Sequence, residues 1–398
     1  MRDDVMRTGM PLRTHPAARD SVLIVSAILL VWLAWPASSL ASPACSSSWH
    51  AVRSPSPAHQ PSDANQLSGV ASVSSTEAWA VGWFDHAADT RGPKTLAERW
   101  HQGRWTVVRT PNPPGADAYL NAVAASGPSD VWAVGIAIDD AGYRSLVEHW
   151  NGSAWSLVPA ATFNNVTLNG VVALAPDDVW AVGSLLEHWD GAAWTTFSIG
   201  ASNFFRDLSA QGSAGIWAAG NHYVQPVGPL LTNTAHFDGV SWNRIRARDA
   251  LRDSTDDEND LLGISDVGPD DVWAVGQYGD PDSGPPAHTL VEHWNGTRWR
   301  IVPSPDPGGD GLDDVLWDVH AFSTDDAWAV GTTGSDGSPS NQTLIERWDG
   351  SHWSTAGSPP LGVLLRIAGD DASRSAWAVG YTEGAGFQAT LIEHACGI

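Results

Sequence analysis

The sequence predicts an all-β protein, a seven-bladed β-propeller with four antiparallel strands per blade, and three observations carry that prediction. A Trp-Ala-Val-Gly core or a near copy recurs seven times, with Trp at 79, 132, 180, 217, 273, 328 and 377. Each copy is flanked by short apolar runs and turn residues at matching offsets. No segment shows an apolar period of 3.6 over a useful length. Self-similarity at a fixed period decides architecture before any local reading does, and short evenly spaced strands of this kind point to a radial array of small sheets.

Strand A comes first in each repeat. An apolar residue stands nine positions before the core Trp in six copies (Val70, Val123, Val171, Leu208, Ile264 and Val319), and Ile367 stands ten before in the seventh. A tight polar link such as Gly127-Pro128-Ser129-Asp130 leads to strand B, Val131–Gly135 in the second copy. Both faces of that strand are apolar, the pattern of a strand covered on both sides. Strand C is Leu146–Trp150. Asn151-Gly152, Asp190-Gly191, Asp238-Gly239, Asn295-Gly296 and Asp349-Gly350 then mark tight hairpins that require a positive φ. Strand D opens on Trp105, Trp155, Trp194, Trp242, Trp299 or Trp353. One such sheet alone cannot bury two apolar faces, so neighbours must cover them. Of the 23 Trp, only Trp83 and Trp317 stand outside both the repeat positions and the N-terminal apolar run.

The last repeat ends at strand C, Leu391–His394, with only Ala395-Cys396-Gly397-Ile398 behind it. Cys45–Arg53, with Trp49 in the strand D position, reads as the missing strand, so the N-terminal segment is expected to complete the seventh blade. The two cysteines, Cys45 and Cys396, then flank one C–D turn. In an exported chain such a pair is expected to form a disulfide.

Residues 1–44 read as a signal peptide. A polar leader with four Arg precedes Ser21–Trp35, an apolar run too short for a membrane span and suited to a signal core. Cleavage is expected after Ala41 or Ala44. Two alternatives stand beside it: an uncleaved N-terminal anchor at the cell surface, and a lipidated Cys45, which would forbid the disulfide. Residues 45–398 are expected to form one secreted, monomeric domain with no span of its own. The net charge of −24 argues against nucleic-acid binding, which needs basic side chains to neutralise phosphate.

With strand A at the axis, the B–C and D–A loops share one face, and these are the long, dissimilar connections. Variable loops on a rigid scaffold are where recognition usually sits. Positions that break the repeat there are Arg206, Asp207, Trp317, Asp318, His320 and Arg366, clustered around the strand A anchors. They form the candidate ligand-binding cluster, against a plainer reading as inter-blade salt bridges with Trp317 as packing. Glu148-His149 and its equivalents in strand C repeat around the ring and read as structural. Asp130, Asp178, Asp271 and Asp326 read as turn residues. Two acidic stretches, Asp306/Asp310/Asp313/Asp314 and Ser254–Asp260, offer oxygen ligands for calcium, but neither matches an EF-hand loop. They are read as solvated loops, and no metal or other cofactor is expected. No catalytic motif of the serine-elbow, zinc-protease or phosphate-loop kind is present.

Asp349-Gly350-Ser351-His352-Trp353 resembles a shortened Asp-box, and residues 45–398 resemble the secreted kelch-like and sialidase-like (Asp-box) propeller group. The kelch double glycine is absent, since Gly135 stands alone. The tandem Trp-Ala-Val-Gly and His-Trp-Asp-Gly units are also similar to those of exported bacterial repeat proteins. The resemblance implies the fold, and an Asp-box placed for structure away from any active site. The expected function is a non-enzymatic module binding a glycan, a cell-wall polymer or an extracellular protein. The alternative is a glycan-active hydrolase or lyase with Asp207 and Asp318 as carboxylates, Arg206 and Arg366 as anion binders. Such a pair must stand about 5–5.5 Å apart for retention or 6.5–9.5 Å for inversion.

Overall fold

The computed structural model describes residues 46–398, apart from 90–91, 162–164, 201–202, 214, 225–227, 253–256, 280–285, 335–339, 360–361 and 385. The expected signal peptide and Cys45 lie outside the described residues. Within them, strands follow one another with a single 3-10 turn, Gly309–Gly311, between them.

A short β1 (His50–Ala51) precedes the first sheet, β2 (Ala64–Ser74), β3 (Glu77–Asp85), β4 (Lys94–His101) and β5 (Arg104–Val108). The second holds β6 (Asp117–Gly127), β7 (Asp130–Asp139), β8 (Gly142–Trp150) and β9 (Trp155–Leu157). The third holds β10 (Leu168–Ala175), β11 (Asp178–Gly183), β12 (Leu186–Trp189) and β13 (Trp194–Phe197). The next eight strands are β14 (Asn203–Ala210), β15 (Ile216–Tyr223), β16 (Leu230–Phe237), β17 (Trp242–Ile245), β18 (Glu258–Gly268), β19 (Asp271–Gly279), β20 (His288–Trp294) and β21 (Trp299–Ile301). They form two antiparallel four-stranded units, the fourth and fifth, joined by one parallel pair, Leu230 with Glu258. The sixth unit holds β22 (Asp313–Ser323), β23 (Asp326–Gly334), β24 (Gln342–Trp348) and β25 (Trp353–Thr355). The last is β26 (Val363–Asp370), β27 (Ser375–Gly384) and β28 (Phe387–Cys396), with β1 as its fourth strand.

That final pairing follows the expectation from the sequence. His50 faces His394 and Ala51 faces Glu393, Val52 N donates to Ile392 O at 2.8 Å, and Cys396 N donates to Ser46 O at 2.9 Å.

The repeated Trp residues explain why neighbouring sheets need one another. Trp79 of the first sheet meets Trp150 and Trp155 of the second, at 4.9 and 5.2 Å between ring centroids. Trp132 meets Trp189 and Trp194 of the third, and Trp180 meets Phe237 and Trp242 of the fourth. Trp217 meets Trp294 and Trp299, Trp273 meets Trp348 and Trp353, and Trp328 meets Trp49. Trp377 of the last sheet then meets Trp100 and Trp105 of the first, at 4.8 and 5.1 Å. Tilted and edge-on ring pairs add stabilisation beyond their buried area. Each core Trp is thus a knob for the next sheet, and the series returns to its start.

Strand A carries an irregularity that a plain alternation would not show. Two inward apolar residues stand three positions apart in every copy, as with Leu120 and Val123 or Leu316 and Val319. A period of two cannot place both inside, and the register slips between Leu120 and Ala122 and between Leu316 and Asp318. The same bulge occurs in all seven A strands, leaving Ser68, Asn121, Asn169, Arg206, Leu262, Trp317 and Leu365 as the extra residues. Bulges re-aim a side chain out of the ladder. They also explain the glycine of the core motif, because a Cβ on Gly135 would stand 2.0 Å from Tyr119 O, and one on Gly331 1.9 Å from Val315 O.

The C–D turns differ from expectation. Gly152, Gly191, Gly239, Gly296 and Gly350 have φ between 82° and 90°, but the Asn or Asp before each does not have a positive φ. It caps a four-residue loop instead: Asp190 Oδ1 accepts from the amides of Ala192 and Ala193, both at 2.9 Å. The side-chain oxygen supplies what a left-handed residue would have supplied.

Candidate functional site

One end of the cavity at the centre of the seven A strands is ringed by the bulge residues. Ser68, Asn121, Asn169, Arg206, Leu262, Trp317 and Leu365 line this mouth together with Gln66, Val363, Arg366 and Tyr381, around a volume of about 370 Å³. Further along, Asp207, Asp318, His320 and Arg366 line the channel with the apolar anchors of the A strands. The six predicted residues therefore converge on one channel, at different depths.

The mouth has two unlike walls. Leu262, Trp317, Val363, Leu365 and Tyr381 form the apolar and aromatic side; Gln66, Ser68, Asn121 and Asn169 form the polar side. Asn121 Nδ2 donates to Leu168 O at 2.8 Å and Asn169 Nδ2 to Phe205 O at 2.9 Å, which ties each A strand to the next. Trp317 is half-buried and its Nε1 has no hydrogen-bond partner. The same is true of ten other Trp among the described residues, so this does not set Trp317 apart.

The charged members are engaged. Arg206 Nη2 donates to Asp260 Oδ2 at 3.0 Å, Asn221 takes the other oxygen at 2.7 Å, and the guanidinium lies 4.8 Å from the Phe204 ring. Asp207 Oδ2 accepts from Ile264 N at 3.2 Å, and Asp318 Oδ2 from Ile367 N at 2.9 Å. Each carboxylate thus reaches from its own A strand to that of the following sheet. Burial, with the Asp207 charge adding to it and Arg366 opposing, pushes the Asp318 carboxyl up to about 7. Burial also raises Asp207, again against the pull of Arg366. Arg366 Nη1 donates to Trp317 O at 3.2 Å and so braces the mouth.

His320 belongs to the other end of the channel. Its Nε2 donates to Asp371 Oδ1 at 3.2 Å, in the turn between β26 and β27, and its ring lies edge-on to Phe322 at 4.5 Å. Its place one residue after the anchor put it beside Trp317 in the sequence. The strand carries it a further turnward step, away from the mouth.

The repeating polar residues have structural partners. His149 Nε2 donates to Asp130 Oδ1 at 2.6 Å, His188 to Asp178 at 2.9 Å and His293 to Asp271 at 2.7 Å, each ring lying against its core Trp. Arg347 replaces the histidine at Asp326. These aspartates therefore tie strand C to the start of strand B, and Asp130 serves the preceding turn as well by accepting from Ser126 Oγ. The partner glutamates Glu98, Glu148, Glu187, Glu292, Glu346 and Glu393 are fully buried. Desolvation pushes Glu98, Glu148, Glu292 and Glu393 up to about 8, and Glu346 to about 9, with Asp314 and Asp306 adding to the last.

A pH dependence follows, because an unfolded Glu titrates near 4.3. The folded chain keeps protons that the unfolded chain releases, so this stability is fully present below about pH 4.3 and is lost as pH rises towards 8–9. Tm should fall between pH 5 and pH 9. Glu393→Gln, which keeps the shape and removes the titration, should match the wild type at pH 5 and melt a few degrees higher at pH 9. Parallel pH profiles for the two proteins would contradict this.

The acidic stretches are tied into local hydrogen bonds. Asp306 Oδ2 accepts from His288 Nδ1 at 2.5 Å, Asp313 Oδ1 from Ala287 N at 2.8 Å, and Asp314 from Gly308 N and Thr333 Oγ1, both at 2.6 Å. Part of Ser254–Asp260 lies outside the described residues, and its Asp260 serves Arg206. Among the described residues no cluster of three His, Cys, Asp or Glu is spaced to hold a metal ion, and no helix is long and apolar enough to cross a membrane.

No protein-family model and no curated protein matches this chain. Solved structures do. The structure described as YCF48 bound to D1 peptide matches with a TM-score of 0.56 at 13% identity, over 87% of this chain and 96% of that one. The structure of U3-55K gives 0.55 at 13% identity, over 87% and 98%. YCF48 from Cyanidioschyzon merolae gives 0.53 at 15%, over 87% and 98%. At such identities the likeness concerns architecture alone, and together with the four-stranded antiparallel sheets it makes this chain a β-propeller repeat protein.

Proposed function

We propose that the chain is a secreted, non-enzymatic binding module: a seven-bladed ring whose B–C/D–A face recognises a glycan, a cell-wall polymer or an extracellular protein at the channel mouth. The return of the Trp contacts from the last sheet to the first supports seven blades and closure. The capped Asp349 turn, whose Oδ1 accepts from the amides of Ser351 and His352 at 2.9 and 3.0 Å, supports a kelch-like or Asp-box type of propeller. Residues 1–44 serve as its export signal in this reading, and no metal or cofactor takes part. A monomer suffices, since the ring leaves no sheet without neighbours.

Trp317 carries the reading. Its half-buried side chain lines the mouth together with Gln66, Ser68, Asn121 and Asn169, and an aromatic ring there suits stacking on a sugar ring or a peptide side chain. That one neighbour in fold is described with a bound peptide makes a peptide segment a reasonable first probe. A panel of soluble polysaccharides and peptides should yield a ligand retained by the purified protein. Trp317→Ala should lower that retention at least tenfold while moving Tm by less than about 2 °C. An equal loss of retention and stability would mark Trp317 as packing.

The enzyme reading rests on the raised Asp318 carboxyl beside Asp207. Both carboxylates are already hydrogen-bonded to backbone amides, and Arg206 is held by Asp260, which leaves little free for acid–base work. Turnover of any glycan in the same panel, abolished by Asp318→Asn, would favour this reading over simple binding.

We propose in addition that Cys45 and Cys396 form a disulfide. Cys45 lies outside the described residues. The pairing of its neighbour Ser46 with buried Cys396 supports it.

A further inference from the structure

We propose that the fourth unit carries a second binding site, distinct from the mouth, for an oxyanion: a carboxylate, sulfate or phosphate group. A cavity of about 250 Å³ lies between the ends of β15, β16 and β17 and the segment that follows them. His222, Thr232, Arg244, Arg246, Asp249 and Arg252 line it. Three guanidinium groups against one carboxylate is an unusual local balance in a chain of net charge −24.

The carboxylate is already spent. Asp249 Oδ1 accepts from Thr232 N at 2.8 Å and from Thr232 Oγ1 at 2.9 Å, while Oδ2 meets Arg252 Nε at 3.1 Å. Arg244 and Arg246 have no carboxylate within ion-pair distance among the described residues. His222 Nδ1 is buried without a hydrogen-bond partner. Burial, with the charge of Arg244 adding to it and that of Asp249 opposing, holds His222 below its usual range. A planar guanidinium pair beside an imidazole offers forked donors suited to oxyanions.

The repeat shows that the scaffold does not demand these residues. The position of Arg244, two after the strand D Trp, is Ala51, Val107, Leu157, Thr196, Ile301 and Thr355 in the other units. The strand C threonine meets a hydroxyl at Thr95 (Thr110, 2.7 Å), Thr289 (Ser304, 2.8 Å) and Thr343 (Ser358, 2.6 Å). The position of Arg246 is arginine in two other units as well (Arg53 and Arg109), but only in the fourth unit does a second arginine, Arg244 on strand D, join it beside an aspartate, Asp249.

The test titrates the full chain with sodium sulfate, phosphate or acetate by calorimetry, holding ionic strength constant with chloride. At least one oxyanion should bind saturably, more tightly at pH 5.5 than at pH 7.5, and should raise the His222 pKa seen by NMR. Comparison of the three arms names the preferred group. Arg244→Gln and Arg246→Gln should each weaken binding at least tenfold without changing the circular dichroism spectrum, whereas Trp317→Ala should bind the anion as the wild type does. Absence of saturable binding for all three anions would overturn the proposal, as would wild-type affinity in both arginine variants.

Discussion

Trp377→Ala is expected to destabilise the fold by about 3–5 kcal/mol, the range for removing a buried Trp, and to lower Tm by roughly 5 °C or more. The residue is 4% exposed, lies against Trp100 and Trp105 of the first sheet, and carries the His394 ring at 4.0 Å on its other side. Its loss would open a cavity between the last sheet and the first, where no chain connection other than the terminal strand holds them. Trp83→Ala is the control. Trp83 stands outside the repeat, is only half-buried and meets one ring, Tyr119, at 5.4 Å. Thermal melts should rank Trp377→Ala well below Trp83→Ala. Equal losses would mean that the repeated Trp are ordinary filler rather than the joints between sheets.

The sequence made the sheets legible because strand B and the Trp positions repeat with uniform spacing, and such spacing has few structural solutions. It also placed Arg206, Asp207, Trp317, Asp318 and Arg366 around one channel, since all stand next to the strand A anchor. His320 lines the same channel nearer its other end, because one residue along a strand that runs down a channel changes the neighbour it meets. The bulge has a signature in the sequence, since Leu120 and Val123 stand three apart, which no regular strand can bury on one face. The roles of Asp130, Asp178, Asp271 and Asp326 were only partly legible locally, for besides near partners such as Trp132 and Trp180 each meets a strand C side chain ten or more residues away. The oxyanion corner was hidden for a related reason, since His222 and Arg244 come together only when β15 and β17 flank β16.

The second large effect concerns the join of the termini. Cys45→Ser is expected to cost about 2–5 kcal/mol under oxidising conditions, as a link across a loop of this length restricts the unfolded chain strongly. Wild type treated with reductant should melt with the variant, and reductant should leave the variant itself unchanged. An unaltered Tm for oxidised Cys45→Ser would remove the disulfide from the account, though not the pairing of β1 with β28.

That pairing is the claim on which the closed ring depends, and amide hydrogen exchange of residues 46–53 measures it directly. Val52 N is bonded to Ile392 O, so its exchange should be slow, and Ala51→Pro should speed exchange at both Val52 and Cys396. Exchange of 46–53 at the rate of a free tail, with β28 indifferent to Ala51→Pro, would contradict a ring closed by its first strand.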